Sequence, residues 1–234
     1  MNRTAQSALL FLLGATLLHA ATTDLYLRYV KAGLRPLVLL AGVVLIATAA
    51  ATLWYERRRA GARQHHHEPR VSWLLTLPVL ALILVSPPAL GSYSASHTGT
   101  ALTKPFGFAD LPAGGPLRLG VADYAGRAVY DDGRSLRDRE LKITGFVTLD
   151  RAGTPYLVRM GLNCCAADAQ PVKIALTGNL PPVLSPDTWL EISGRYSPRR
   201  TEDPVNDGPI PYLEVTRAKP VPTPHDPYDE TWNT

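Results

Sequence analysis

The sequence predicts three transmembrane α-helices followed by a small all-β domain, an OB-like five-stranded barrel with one short helix. Three observations carry this prediction. Three charge-free apolar stretches lie within the first 91 residues. After Glu140 the hydrophobic period changes to two. Five alternating segments of this kind then follow, separated by Gly- and Pro-containing turns. At 234 residues the chain is long enough for one or two domains with a sizeable buried core.

A helix that crosses a bilayer needs roughly 20 mostly apolar residues, because each residue adds only about 1.5 Å of length. Residues 4–23, 36–55 and 71–91 are free of Asp, Glu, Lys and Arg over about that length. The second has the most uniformly aliphatic centre. The third contains Pro78 and ends at Pro87-Pro88, which suits a kink followed by a stop. For the first stretch the alternative is a cleaved signal peptide, although Leu18-His19-Ala20 matches a cleavage site only loosely. Residues 1–91 form the membrane domain on this reading.

Orientation follows from the loops. Residues 55–70 carry Arg57, Arg58, Arg59, Arg63 and Arg70 against Glu56 and Glu68, which marks this loop as cytoplasmic. The N-terminus is then cytoplasmic, and the domain after Gly91 is extracytoplasmic. Arg28, Lys31 and Arg35 in the first loop pull the other way, with a smaller excess. His19 is the one ionisable side chain within a span apart from tyrosine, so the spans offer no evident ion path and suit an anchor or subunit. His65, His66 and His67 form a candidate metal loop, since adjacent imidazoles can hold a divalent transition metal without a fixed geometry. The plain alternative is a solvated loop beside arginines that set topology.

Charge separates the two halves. The net charge is +4, but residues 1–91 carry +6 and residues 92–234 carry −2. Basicity therefore belongs to the apolar part, and nucleic acid is excluded as the partner of the outer domain. The chain has two cysteines, and they are adjacent, which rules out a disulfide-stapled scaffold and every four-Cys zinc pattern.

In the outer half, residues 92–116 are rich in Gly, Ser, Thr and Pro and read as a linker. Val121, Tyr124, Ala125, Ala128 and Val129 recur at helical spacing up to Asp131-Asp132-Gly133 and predict the short helix. Leu141, Ile143, Val147 and Leu149 mark the first strand, and Tyr156, Val158, Met160 and Leu162 the second. Val172, Ile174 and Leu176 mark the third; Leu190, Ile192 and Tyr196 the fourth; Leu213 and Val215 the fifth. The β domain so defined spans residues 117–220, and the Pro-rich tail 221–234 is too polar to add to a core. His97 and His225, the outer domain's two histidines, read as loop residues, and no Ser/His/Asp spacing supports hydrolysis; the chain is not read as an enzyme.

Cys164, Cys165 and Asp168 are the main candidate site. Neighbouring strand residues point to opposite faces, so both thiols reach one ligand only where the chain turns. The small residues that follow, with Pro171, favour a turn here. Three readings compete: a metal site formed by Cys164, Cys165 and Asp168, thiol redox chemistry, and a packing cysteine beside an incidental one.

The run Arg159-x-x-x-x-Cys164-Cys165-x-Ala167-Asp168-Ala169-x-Pro171 resembles the YcgQ-like family of bacterial membrane proteins. Gly145-Phe146-Val147, Asp187-Thr188-Trp189 and Pro211-Tyr212-Leu213 are similar as well, as is the plan of apolar spans, His-containing loop and β domain. The resemblance implies an accessory subunit of a two-component permease complex in the inner membrane, paired with a polytopic permease subunit within the lipid bilayer. The outer domain would bind or sense solute or metal. The other reading is a membrane-anchored thiol–disulfide or metal-handling protein that uses the vicinal cysteines.

Overall fold

A computed structural model describes residues 3–59, 76–85 and 88–229. The chain divides into two compact units, Met1–Pro88 and Ala89–Thr234.

In the first unit, α1 (Arg3–Thr22) and α2 (Arg35–Arg59) are joined through two short 3-10 turns, Leu25–Arg28 and Ala32–Leu34. The two helices touch through small residues. A Cβ on Gly14 would lie 2.8 Å from the Gly42 carbonyl oxygen, and one on Gly42 would lie 3.1 Å from that of Gly14. Only hydrogen fits at this crossing, the means by which apolar helices approach closely without a hydrophobic driving force between them. Ser7, Ala21 and Ala49 are buried in the same unit. Arg35 Nε donates to the Ala21 carbonyl at 3.1 Å and satisfies one of the free acceptors at the end of α1. Phe11, Leu37, Leu40, Val43 and Val44 are exposed.

Helical segments at Ala5–Thr22 and Ala32–Arg58 are long and apolar enough to cross a membrane. They correspond to the first two predicted spans. The third prediction, 71–91, is not matched in full. Its described helical part is α3 (Thr76–Val85), ten residues or about 15 Å long, and residues 88–91 are non-helical. Residues 71–75 and 86–87 lie outside the described residues, as does the loop bearing His65, His66 and His67.

The second unit contains α4 (Ser92–His97), β1 (Leu117–Leu119), α5 (Val121–Tyr130), β2 (Leu141–Leu149), β3 (Pro155–Gly161), β4 (Gln170–Gly178), β5 (Trp189–Glu202), β6 (Pro209–Pro220) and β7 (Tyr228–Asp229). Five of these strands close a barrel in the order β2-β5-β6-β4-β3 and back to β2. They are the five alternating segments read from the sequence. All barrel neighbours are antiparallel except β4 and β6. The extra strands β1 and β7 add in parallel to β2 and β3.

Closure depends on a bend in β2. Its residues Leu141–Phe146 pair with β5, and Phe146–Leu149 pair with β3. The switch falls beside Gly145, where a Cβ would meet the Val158 carbonyl oxygen at 2.7 Å, so this strand crossing tolerates no side chain.

Two apolar clusters result. The main cluster takes Leu141, Ile143, Val147, Leu157, Ile174, Ile192 and Leu213 from the barrel strands, with Val121, Tyr124, Ala125 and Ala128 of α5 packed on them. The predicted short helix is therefore α5, and its apolar face is spent on the barrel. The second cluster gathers Phe146, Tyr156, Val158, Met160, Ala175 and Ile210 with Ala95 of α4. The alternating set Tyr156, Val158, Met160 and Leu162 thus belongs to this second cluster, while Leu157, absent from the pattern, lies in the main one. A strand buried on both faces gives no unique in–out alternation to read.

Composition presents residues 92–116 as a linker, yet they bond repeatedly to the rest of the second unit. Ser92 donates its N–H and hydroxyl to the Asp187 carboxylate, the Ala101 N–H donates to the Pro171 carbonyl, and Tyr130 Oη donates to the Leu102 carbonyl. His97 ends α4 and is not a loop residue. The tail also contributes to a core, contrary to its polar composition. Tyr228 is 2% exposed in the second cluster, and its hydroxyl accepts the Leu90 N–H.

Candidate functional site

The site lies on the connection from β3 to β4. The two strands pair as far as Gly161 opposite Gln170, so residues 162–169 must reverse the chain direction. Leu162 is buried, and its N–H donates to the Asp229 carbonyl. Cys165 is extended, with φ −153° and ψ 170°, and a single 3-10 turn follows at Ala166–Asp168. That combination breaks the strand alternation and brings both side chains to one side.

Asp168 organises the turn. Its carboxylate accepts the N–H groups of Asn163 at 3.1 Å, Cys164 at 2.8 Å and Cys165 at 3.4 Å. The Cys165 side chain in turn accepts the Asp168 N–H, a reciprocal cap built with sulfur in place of a hydroxyl. The Cys164 and Cys165 sulfurs stand 3.7 Å apart, and both thiols are free. One donor atom from each of Cys164, Cys165 and Asp168 lies within 4.8 Å of the others. Cys164 is exposed, while Cys165 and Asp168 are half-buried.

Two sulfurs bound at 2.3 Å to one tetrahedral ion sit about 3.8 Å apart. The observed separation meets this without rearrangement of the chain. A disulfide, by contrast, requires the sulfurs to close to about 2.05 Å.

The Cys164 thiol hydrogen-bonds to the Asp168 carboxylate and to Cys165, which pushes its pKa up to about 11. The same thiol, joined by the backbone N–H groups, holds Asp168 below the usual carboxylate range. A bound cation would displace the protons of both thiols and take the two thiolates and the carboxylate as ligands. The set of two sulfurs and one oxygen leaves a fourth tetrahedral position open.

The structure thus brings Cys164, Cys165 and Asp168 together, the arrangement that the metal reading needs. Arg159, which opens the motif, does not join them. Its guanidinium lies 5.1 Å from the Trp189 ring and donates to the Asp226 and Tyr228 carbonyls, so it fastens β7 to β3. Sequence reasoning placed Asp168 only as a third ligand and missed its grip on three N–H groups. A carboxylate three residues after the turn's first residue was the available signal.

Residues 123–229 match the family model described as the DUF1980 C-terminal domain. The matched span begins inside α5 and ends with β7, so the five barrel strands and the cysteine turn all fall within the DUF1980 C-terminal match. The YcgQ-like resemblance read from the sequence fits this domain match only loosely. No curated protein and no solved structure matches the chain.

Proposed function

We propose that this chain is an accessory subunit of a bacterial inner-membrane permease complex, whose extracytoplasmic OB-like barrel binds a divalent transition metal through Cys164, Cys165 and Asp168. The meeting of two sulfurs and a carboxylate oxygen within 4.8 Å on an exposed turn carries the reading. The barrel order supports the OB-like assignment, since its third and fifth strands, β4 and β6, are parallel neighbours. Two apolar helices support membrane anchoring, the arginine-rich loop after the second supports a cytoplasmic N-terminus, and a third crossing at 71–91 would put the barrel outside. Thiolate-rich sites favour zinc among common divalent ions. Three ligands on an exposed turn suit a site that passes its ion onward, because structural zinc sites are closed by four. The exposed apolar faces of α1 and α2 meet lipid and the polytopic permease partner.

The second reading, thiol–disulfide exchange, is favoured by two free sulfurs 3.7 Å apart. The raised Cys164 pKa does not separate the two readings, because exchange and metal ligation both use the thiolate; what favours the metal is the carboxylate oxygen beside the sulfurs.

Affinity capture of the full-length chain from native membranes tests the subunit role. Stoichiometric recovery of a many-helix membrane protein supports it. Recovery of thiol oxidoreductases, or of the chain alone, overturns it.

A further inference from the structure

We propose that the barrel carries a second binding site, for a small organic carboxylate with an apolar body, at the end of β3 remote from the cysteines. A cleft of about 610 Å³ opens there, lined by the β2–β3 turn, Pro204 and Val205 after β5, and the end of α4. That volume lies within the range of small-molecule sites.

Both turns are held rigid from within. The Asp150 carboxylate accepts the Ala152 and Thr154 N–H groups and the Tyr156 hydroxyl. Asp203 accepts the Thr100 and Val205 N–H groups, and its pairing with Lys173 is at 2.8 Å. Burial alone would raise Asp150, but these bonds outweigh it and hold the group below the usual carboxylate range. The acids around the cleft are thus spent on the protein itself.

Hydrogen-bond donors remain. The Lys173 side chain, 5% exposed, lines the cleft and commits two N–H groups, to Asp203 and to the Thr98 carbonyl, out of three. Thr148 is 3% exposed and lines the cleft, and no hydrogen bond joins its hydroxyl to another described residue. The exposed Arg151 adds a cation at the rim. Leu149, Ala152, Pro204 and Val205 supply apolar contact. Donors, one uncommitted cation and an apolar wall call for a ligand with an anionic acceptor at one end and carbon at the other.

The test uses the full-length protein in lipid nanodiscs, with 4-fluorophenylacetate as probe and fluorine NMR line broadening as readout. Saturable broadening is expected, with the neutral 2-(4-fluorophenyl)ethanol binding more weakly. Arg151→Ala and Thr148→Val should each weaken the acetate roughly 5-fold, the worth of about one hydrogen bond. Ala152→Trp, at an exposed position, should fill the cleft and abolish binding. Cys164→Ser should leave probe binding unchanged, which separates this site from the metal site. Absence of saturable binding, equal binding of the two probes, or binding insensitive to all three cleft variants overturns the proposal.

Discussion

Asp203 and Asp168 each follow a barrel strand, and each collects backbone N–H groups on its carboxylate. Asp203 has no solvent exposure, and its remaining partner is the Lys173 ammonium, itself 5% exposed. Asp168 is half-buried, and its remaining partner is the Cys164 thiol. The first carboxylate cannot lose its partner without leaving a buried charge, so it fixes the fold. The second, in the proposed site, would exchange a thiol proton for a metal ion while its backbone bonds stay in place. Burial, more than the hydrogen-bond pattern, separates the structural carboxylate from the one proposed as a ligand.

The largest effect should come from breaking the buried pair. Lys173→Met or Asp203→Asn should each cost on the order of 3–5 kcal/mol, whereas the combined Lys173→Met/Asp203→Asn chain, which keeps an acceptor oxygen for the Thr100 and Val205 N–H groups, should lose less than the sum of the two. Urea denaturation of the outer domain, followed within the full-length protein, reads this. Strictly additive losses in the double variant would show that the ion pair does not govern the segment.

Asp168→Asn should cost about 1–2 kcal/mol at most, the scale of a lost turn cap. Its chemical effect should be greater. With the carboxylate neutralised, the Cys164 pKa should fall from about 11, and alkylation by iodoacetamide at neutral pH should accelerate. An unchanged alkylation rate would remove Asp168 from the electrostatics of the thiol.

Acid should act in the direction the carboxylates set. Asp150 and Asp168 are both lowered in the folded chain. Their contribution is therefore present above the unfolded value of about 3.9 and is lost as pH falls through the lower folded values. Acid denaturation should show a shallower limb in Asp150→Asn/Asp168→Asn, and an identical limb would contradict the assignment. The smallest effect belongs to the surface pair Arg118–Glu191, whose arginine side chain is 72% exposed. Arg118→Ala should shift stability by no more than about 0.5 kcal/mol, and a larger loss on the same urea curves would give this pair a structural role.

The same contrast explains what could be read from the chain in advance. The strands β2 to β6 announce themselves because apolar residues recur locally at period two. β3 was legible as a strand but not in its packing, since Tyr156 and Leu157 are both buried, on opposite sides. The Lys173–Asp203 pair was invisible, because residues 30 apart in sequence meet only once β4, β5 and β6 are registered. The cysteine turn was legible in composition, because adjacent thiols followed by small residues and proline demand a reversal. What that turn does with Asp168 depended on hydrogen bonds to backbone groups, which carry no side-chain signature. The bond network of residues 92–116 was hidden for the same reason.

The central claim is that Cys164, Cys165 and Asp168 bind one metal ion together. Cobalt(II) titration of the reduced full-length chain tests it most directly, because thiolate ligands give a near-ultraviolet charge-transfer band and tetrahedral sites give intense visible bands. The account predicts both features saturating at one equivalent. Cys164→Ser and Cys165→Ser should each diminish the charge-transfer band without altering the unfolding curve. A titration with no thiolate charge transfer, or a band unchanged in both serine variants, would contradict the claim.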